Sequence, residues 1–448
     1  MRPAVVRVLV VFMALAAGGS SARAQGLTLA LGGWSATLYG FAETDLIYDT
    51  TQSLNEVAGN TQIARPDSYA GSHDRFTVSI RNSRLGVRLR APEWHHIRAS
   101  AVAEIDFLGT QAPTTSEAAT FTSPLVRARQ YNLKIETPVV DLLFGQTWSL
   151  FGWQPFYFPN SVEIMGLPAQ LFFRTPQLRA SKTIHTAPIN LEIALALMRP
   201  PQRDAGVPEG QGGVRLLVNK WTGVQTINST GTQISPLSVG VSGTVRRLRL
   251  TELSAAPKAS VDLTGWGVAA SAFVPVLPGR ADKRGNSLAL TGEYVWGMGI
   301  ADEYPGLTGG VASAPPPNPS MLVPAPVYTP NADPGLAVFT ADGIAHLVRW
   351  QTFIVGAQYT IAGLDGRMWI SANYSRSVSD NASTLGTPGK LRAGEDFADF
   401  NVFGDITPQV RLGAEYAYFS DHYAGADVKT APVDAVNHRV QVSAFFIF

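Results

Sequence analysis

The chain has 448 residues, of which only 15% are charged and none is cysteine. Ordinary soluble domains carry about a quarter charged residues, and a chain without cysteine has no disulfide, no thiol nucleophile and no Cys-ligated zinc. The formal net charge of +1 gives no sign of a polybasic, nucleic-acid-binding protein.

The first 24 residues have the pattern of a secretory signal peptide. Arg2 and Arg7 precede the apolar run VLVVFMALAAGG, and Ala22 and Ala24 occupy the small-residue positions of a cleavage site. A retained membrane anchor would need about 20 apolar residues, whereas this run ends earlier, at two serines. Cleavage after Ala24 lowers the basic count from 35 to 32 against 34 acidic side chains. We therefore predict a signal peptide at 1–24 and an exported chain at 25–448.

Alternation of apolar and polar residues begins soon after the signal. In TLYGFAETDLIYD, Leu38 and Leu46 share one face of a strand while Glu43 and Asp45 share the other. RFTVSIRNSRLGVRLR changes parity in its middle, which predicts a β-bulge near Asn82. IRASAVAEIDF alternates over about ten residues, the length of a tilted membrane strand. A half-buried strand of a soluble sheet has the same pattern, so one segment alone does not decide between the two.

Repetition of the pattern favours the membrane interpretation. Thirteen similar segments follow, at 124–136, 140–149, 177–186, 189–199, 213–220, 237–250, 262–274, 286–299, 345–361, 367–378, 397–404, 409–420 and 438–448. With the first three they make about sixteen strands, an even number as in closed bacterial barrels. We therefore predict an all-β fold, a transmembrane antiparallel β-barrel of about sixteen strands over 25–448.

The connections between these segments alternate in length. Short turns such as APEWHH and GLDG alternate with long links at 50–73, 109–123, 150–176, 300–344 and 421–437. Outer-membrane barrels have short periplasmic turns and long extracellular loops. The proline-rich link at 300–344 is therefore predicted to be an outer loop. The pattern fails at 219–236, where a long link is predicted in place of a short turn.

The last strand, NHRVQVSAFFIF, ends on aromatic residues. Val440, Val442 and Phe446 share one parity, whereas Arg439 shares the other with polar neighbours. Apolar residues on one face of such a strand are expected to contact lipid, and the terminal Phe448 is expected at the membrane interface, where aromatic girdles occur.

The polar parity of the early strands carries more arginines than acids. The arginines are Arg81, Arg84, Arg88, Arg90, Arg98, Arg127, Arg129, Arg174 and Arg179. The carboxylates predicted to face the same lumen are Glu43, Asp45, Glu104, Asp106 and Glu192. Some of these charges will pair across strands and brace the wall. The remaining arginines predict a basic zone along a pore, and rings of arginine select anions.

Motifs of known enzymes do not occur in the sequence. There is no H-E-x-x-H, no G-x-S-x-G, no Walker loop and no dinucleotide fingerprint. His95 and His96 could contact a metal, but beside Trp94 they are more typical of a turn at the membrane interface. We therefore predict no catalytic residue, no metal and no cofactor. The alternative is a barrel enzyme or adhesin with a blocked lumen, because the catalytic residues of such enzymes are dispersed in sequence.

Several stretches resemble the DcaP-like trimeric porins of Gram-negative outer membranes. They are GFAETDLIYD, RNSRLGVRLR, AEIDFLG, RARQYNLKIE, FGQTWSLFG, FRTPQLR, HLVRWQTFIVGAQY and the final aromatic strand. They run in order over most of the exported chain, and GQTWSLF followed by R-x-P-Q-x-R is the most specific pair. The resemblance implies a sixteen-stranded homotrimer in the outer membrane, in contact with its lipid, that carries small anions, typically dicarboxylates. Phosphate- and pyrophosphate-selective porins share this architecture.

The resemblance also implies where the narrowest part of the pore, the eyelet, is formed. An inward-folded third outer loop would narrow it, and this loop corresponds to about 151–173. The eyelet residues expected to meet solute are Arg81, Arg84, Arg127, Arg129, Arg174 and Arg179, with Glu43, Asp45, Glu104 and Asp106 as facing carboxylates. Arg88 and Arg90, close to the APEWHH turn, are expected to contribute little.

The last residue of the chain resembles this family, whereas the segment after the signal peptide differs from it. A C-terminal Phe448 resembles the signal that is read by the outer-membrane assembly machinery. Many relatives carry an N-terminal coiled coil, whereas here only about a dozen residues separate Gln25 from the first predicted strand. Trimerisation by such a coiled coil is therefore not expected.

Overall fold

A computed structural model describes residues 26–58, 62–110, 116, 118–163, 166–226, 232–254, 256–307, 329, 331–340, 342–385, 391–424 and 434–448. The predicted signal peptide at 1–24 and most of the proline-rich stretch of the 300–344 link lie outside these residues. In the described part of the chain, no helix has the length and apolar character needed to cross a membrane.

Strands make up most of the described chain. They are β1 Leu27–Leu31, β2 Trp34–Asp49, β3 Arg75–Ser79, β4 Arg84–Arg90, β5 Arg98–Asp106, β6 Arg127–Glu136, β7 Asp141–Trp148, β8 Arg174–His185, β9 Ile189–Met198, β10 Glu209–Thr226, β11 Thr232–Thr251, β12 Ser260–Leu277, β13 Ser287–Met298, β14 Ala337–Phe339, β15 Ala345–Leu347, β16 Arg349–Thr360, β17 Met368–Val378, β18 Leu391–Asp405, β19 Val410–Ala424 and β20 Asp434–Ile447. The short helices are Tyr69–Ser72, Ala118–Thr122, Ala382–Leu385 and the 3₁₀ turn Ala301–Glu303.

Sixteen strands close into an antiparallel barrel. Each strand from β4 to β13 pairs with the next, β13 pairs with β16, and the ladder continues from β16 to β20. β2 completes the ring because Phe41 lies opposite Arg84 of β4 on one edge and opposite Ile447 of β20 on the other. β3 and β4 form one interrupted strand, since both pair with β2 and are separated by residues 80–83. The predicted fold, its sixteen strands and the irregularity near Asn82 are therefore confirmed.

Side chains alternate between the lumen and the outside of the barrel, as the sequence pattern predicts. On β20, Phe446 points outward and is 53% exposed, whereas Arg439, Gln441 and Ser443 point inward and are buried. A barrel with an apolar outer face and a polar interior is the arrangement of transmembrane barrels. The closing strand thus presents its apolar parity outward.

The connections follow the predicted alternation of lengths in most cases, although 252–259 is one residue shorter than 278–286 at the opposite end. The long ones lie at one end of the barrel, which we call the loop end, and are 50–74, 107–126, 149–173, 199–208, 252–259, 299–348, 379–390 and 425–433. The short ones lie at the other end, which we call the turn end, and are 91–97, 137–140, 186–188, 227–231, 278–286, 361–367 and 406–409.

The prediction of a long link at 219–236 is wrong. β10 continues to Thr226 and β11 begins at Thr232, so most of this segment belongs to two paired strands. Their register shifts between Val218 and Thr222, which reverses the parity of the strand. Because the side chains beyond this bulge are mostly polar or small, the apolar alternation that marks the other strands is absent here.

The segment before the first barrel strand also has a structure that the sequence did not predict. β1 pairs with the beginning of β2, from Leu27 opposite Leu38 to Leu31 opposite Trp34. The turn between them contains Gly32 and Gly33, with φ of 57° and 83°, a conformation that glycine adopts without strain. The residues thought to be a short lead-in therefore form a hairpin at the turn end.

Deleting Phe448 should lower the yield of folded barrel. The Phe448 amide donates to the Gly40 carbonyl at 3.0 Å, and the Gly40 amide donates to the Phe448 carbonyl at 3.0 Å. Both bonds close the barrel between its first and last strands, and each contributes about 1 kcal/mol. The folded fraction can be measured by heat-modifiable mobility on a gel. A truncated chain that folds with the yield of the full chain would contradict this role for Phe448.

Candidate functional site

Five of the predicted eyelet arginines belong to nearby strands on one side of the barrel, and we call this group the arginine wall. They are Arg84, Arg127, Arg129, Arg174 and Arg179, contributed by β4, β6 and β8. Two of the predicted carboxylates, Glu104 and Asp106 of β5, lie among them. Glu43 of β2 also interacts electrostatically with Arg84, so the wall holds five guanidinium groups against three carboxyl groups.

Three of these arginines share the two carboxylates. Arg129, which is buried, donates from Nε to Glu104 at 2.8 Å and from Nη1 to Asp106 at 2.8 Å. Arg127 donates two parallel hydrogen bonds of 2.9 and 2.6 Å to the Asp106 carboxylate. The Nε atom of Arg84 lies 3.8 Å from Glu104. Such charge-assisted pairs fix the positions of both partners, so this part of the wall is rigid.

The other two arginines have no carboxylate partner among the described residues. The Arg174 guanidinium lies over the Trp148 ring at 4.5 Å and over the Phe172 ring at 5.5 Å. Arg179 donates from Nε to the side-chain oxygen of Gln177 at 3.0 Å and from Nη2 to the Trp148 carbonyl at 2.6 Å. Aromatic faces and neutral oxygens hold these cations in place without cancelling their charge.

Two of the remaining predicted eyelet residues, Arg81 and Asp45, are placed elsewhere. Arg81 pairs with Glu56 at 2.8 Å and donates to the carbonyls of Phe107 and Gly109, so it binds two outer loops together. Asp45 accepts hydrogen bonds from Gln441 and Ser443 of β20. Glu43 is buried on the same face of β2 as Asp45. The structure therefore does not bring Arg81 into the arginine wall.

The arginines nearest the APEWHH turn lie away from this group. Arg88 lies over the Tyr39 ring at 4.9 Å, and Arg90 is exposed close to the 91–97 turn. His95 and His96 belong to that turn and have φ of 45° and 64°. The described residues contain no group of three or more His, Cys, Asp or Glu side chains that could hold a metal ion.

The 149–173 connection lies inside the barrel, and we call it the inward loop. Its backbone N–H groups donate to inward-facing side chains of five strands on the far side of the lumen. These bonds join Leu150 to Gln211, Gly152 to Ser242, Leu171 to Glu293, Val162 to Asn401 and Glu163 to Glu415, at 2.8 to 3.0 Å. Because strands β10 to β19 supply these partners, the inward loop covers that wall, while its Phe172 also packs on Arg174 of the arginine wall.

Apolar packing holds the inward loop against the same strands. Trp153 and Tyr157 belong to a buried cluster with Phe273 of β12. Glycines in the wall make room for the rings, since a Cβ atom on Gly213 would lie 2.5 Å from the Trp153 ring. These apolar side chains of the inward loop are therefore buried by the barrel itself.

Glu163 joins the inward loop to the 50–74 connection. The Glu163 side chain accepts a hydrogen bond from the Ala58 amide at 2.6 Å, and its other oxygen lies 3.8 Å from Arg439. Burial is the largest influence on this carboxyl group and raises the pKa of Glu163 from its ordinary value of 4.5 to about 8. Glu163 is therefore mostly protonated at neutral pH.

Raising the pH above 8 should loosen the inward loop. Between about pH 4.5 and pH 8, Glu163 carries a proton in the folded protein but not in an unfolded chain, and this proton stabilises the folded state. The stabilisation is lost as the pH rises through the pKa of Glu163 in the folded protein. Single-channel current should be noisier at pH 9 than at pH 6. Glu163→Gln keeps the neutral form and should give the same noise at both values. Pronounced noise at pH 9 in the glutamine variant would mean that another group is responsible.

Sequence reasoning missed a second set of lumen ion pairs, on the later strands. Arg246 pairs with Asp302 at 2.8 Å between Nη2 and Oδ2, and Arg439 pairs with Asp49 through hydrogen bonds of 2.9 Å. Arg392 lies 2.8 Å from Glu395. The inward parity of these arginines was detectable, but Asp302 and Asp49, the partners of Arg246 and Arg439, lie far away from them in the chain. These arginines are neutralised and brace the outer loops.

Comparison with solved structures gives the same architecture. The outer-membrane channel DcaP of Acinetobacter baumannii is similar over 95% of this chain and all of its own, with 17% identity and a TM-score of 0.64. OmpF of Salmonella typhi, in complex with daunomycin, is similar over 94% of this chain and all of its own, with 8% identity and a TM-score of 0.50. No protein-family model and no curated protein sequence matches the chain. The chain therefore has the fold of the outer-membrane channel DcaP.

Proposed function

We propose that this protein is an outer-membrane porin for the passive diffusion of small anionic solutes, with dicarboxylates as the class it favours. The observation that carries the proposal is the pair of lumen cations Arg174 and Arg179, which have no carboxylate partner in the described part of the chain. Rings of arginine favour anions. The preference for dicarboxylates rests on the resemblance of the sequence to DcaP-like porins.

The route of the solute follows from where the inward loop is attached. The loop binds the strands from β10 to β19, and this attachment supports a solute route on the side of the arginine wall. A carboxylate passing there meets guanidinium groups that remain charged at physiological pH and form two parallel hydrogen bonds. Arg127 and Arg129 are already bound to acids. Arg174 and Arg179 are therefore the groups that an anion contacts.

The proposed localisation is the outer membrane of a Gram-negative bacterium, reached by export with a cleaved signal peptide at 1–24. Phe448 at the end of the closing strand would be read by the outer-membrane assembly machinery. A homotrimer is supported by the unequal height of the barrel wall. The wall is low at β5 and β7, which have 9 and 8 residues, and high at β10 and β11, which have 18 and 20. We propose that the low side faces neighbouring protomers, because a tilted strand needs about 9–11 residues to cross the bilayer.

A planar bilayer under a salt gradient tests the proposal. The purified protein should give stepwise openings, a reversal potential on the anion side and current block by millimolar succinate. A silent bilayer would instead support the barrel enzyme or adhesin with a blocked lumen. A conducting pore with a cation-side potential would contradict anion selectivity while leaving the diffusion channel intact.

A further inference from the structure

A row of arginines lies on the outside of the barrel, just beyond its apolar belt at the loop end. Val241 and Val245 of β11 point outward, and Val245 is 59% exposed. Trp266 lies opposite Val245, and its ring packs edge-on against the Trp296 ring at 4.8 Å, as in an aromatic girdle. The next outward positions on β11 are Arg247 and Arg249. These two side chains therefore lie at the level of lipid headgroups.

A second pair of arginines lies close to the first. On β9 the outward row of Leu195 and Leu197 continues into Arg199, and Arg203 follows in the 199–208 connection. Gln202 ties this connection to β11, because its side chain donates to the Arg249 carbonyl at 2.7 Å and accepts from the Arg249 amide at 3.0 Å. The four arginines thus form one patch, which we call the outer arginine patch.

Acids neutralise only part of the outer arginine patch. Asp262 is shared, since it accepts a hydrogen bond from Arg247 and lies 3.2 Å from Arg249. Asp204 accepts a hydrogen bond from Asn331. Among the described residues, neither Arg199 nor Arg203 has an ion-pair partner. Two exposed guanidinium groups are therefore available for an anion.

A cavity of about 540 Å³ lies directly beside these two free cations. Pro176, Leu178 and Leu197 form an apolar floor, and Arg199 and Arg203 form a polar rim. Leu178 and Leu197 are outward-facing and exposed, so the floor continues the apolar belt of the barrel. A ligand that suits both parts must have a hydrocarbon portion next to an anionic headgroup.

We propose that the outer arginine patch and this cavity bind a lipid with a phosphorylated headgroup. The phosphate would be held by Arg199 and Arg203 through paired hydrogen bonds, and the first acyl carbons would lie on Leu178 and Leu197. Basic pockets at membrane surfaces bind anionic lipid headgroups in this way. The proposal rests on the membrane placement of the barrel and is independent of which solute the pore carries.

Native mass spectrometry of the folded protein in detergent tests the proposal. The probes are lipid A with its two phosphates, the same lipid after dephosphorylation, and inorganic phosphate. We expect lipid A to remain bound, and Arg199→Gln with Arg203→Gln to weaken its binding by about tenfold or more. The matched control is Arg280→Gln with Lys283→Gln, two cations in the 278–286 turn at the opposite end. This control should bind lipid A as the unmodified chain does.

Several results would overturn the proposal. One is that the Arg199 and Arg203 variant binds lipid A as tightly as the unmodified chain, and another is that the control variant loses as much binding as that variant. The others are that dephosphorylated lipid A binds as tightly as lipid A, or that inorganic phosphate does. Both substituted side chains are exposed, so heat-modifiable mobility should show a folded barrel in the variant. Its conductance should be unchanged, so failure of the lipid site and failure of the channel proposal are distinguishable.

Discussion

A chain carrying both Arg174→Gln and Arg179→Gln should lose most of its preference for anions. The ratio of anion to cation permeability, taken from the reversal potential in a salt gradient, is expected to fall by about threefold or more, since charge at the narrowest part of a pore dominates selectivity. The Debye length at physiological salt is about 8 Å, so only cations close to the passing ion act on it strongly. Block by succinate should weaken in parallel.

Glutamine at these two positions is a clean test because neither arginine neutralises an acid. Arg174 lies against Trp148 and Phe172, and Arg179 contacts neutral oxygens, so their removal leaves no carboxylate without a partner. The same change at Arg129 would leave Glu104 and Asp106 poorly paired in a buried place, and it would therefore measure stability as well as selectivity.

The matched control for this prediction is the pair Arg88→Gln and Arg90→Gln. Both side chains lie nearer the turn end, and Arg90 is exposed beside the 91–97 turn. The control removes the same charge but should change the permeability ratio much less. Equal effects of the two double variants would mean that the eyelet does not lie at Arg174 and Arg179.

Replacing residues 154–170 of the inward loop by a short Gly-Ser linker should widen the pore. Single-channel conductance is expected to rise by about twofold or more, because conduction depends on the cross-section of the narrowest part. The removed segment includes Tyr157 and Glu163, which bind the loop to the wall through apolar contacts and a hydrogen bond to Glu415. Anion preference should fall as well, since ions would then pass farther from the arginine wall.

A milder variant separates widening from misfolding. Asn160 donates to the Gln358 side chain at 2.9 Å, and its carbonyl accepts from Ser371 and Asn373. Asn160→Ala removes only the side-chain bond and should increase current fluctuations with little change in mean conductance. Unchanged conductance in the linker variant, once it is shown to be folded, would place the constriction outside the inward loop.

The sequence alone determined the barrel, its strand number and the side that residues of its regularly alternating strands face. Alternation is a local property, because successive side chains of a strand point to opposite faces and lipid on one face demands apolar residues. Val440 and Arg439 could therefore be assigned to opposite faces without any knowledge of their partners. The same reasoning failed at 219–236, where a bulge reverses which residues of β10 face the lumen and the polar side chains do not show the apolar alternation of a strand.

Only the tertiary structure decided which arginines remain available to an anion. Arg81 and Arg174 look alike in the sequence, yet Arg81 pairs with Glu56 from another loop whereas Arg174 lies on two aromatic rings. Whether a cation is neutralised depends on strand register and on where long loops return, as with Arg439, whose partner Asp49 is at the other end of the chain. The Arg81–Glu56 and Arg439–Asp49 pairs join residues that are distant in sequence. No local pattern specifies them, because each depends on the closure of the whole barrel.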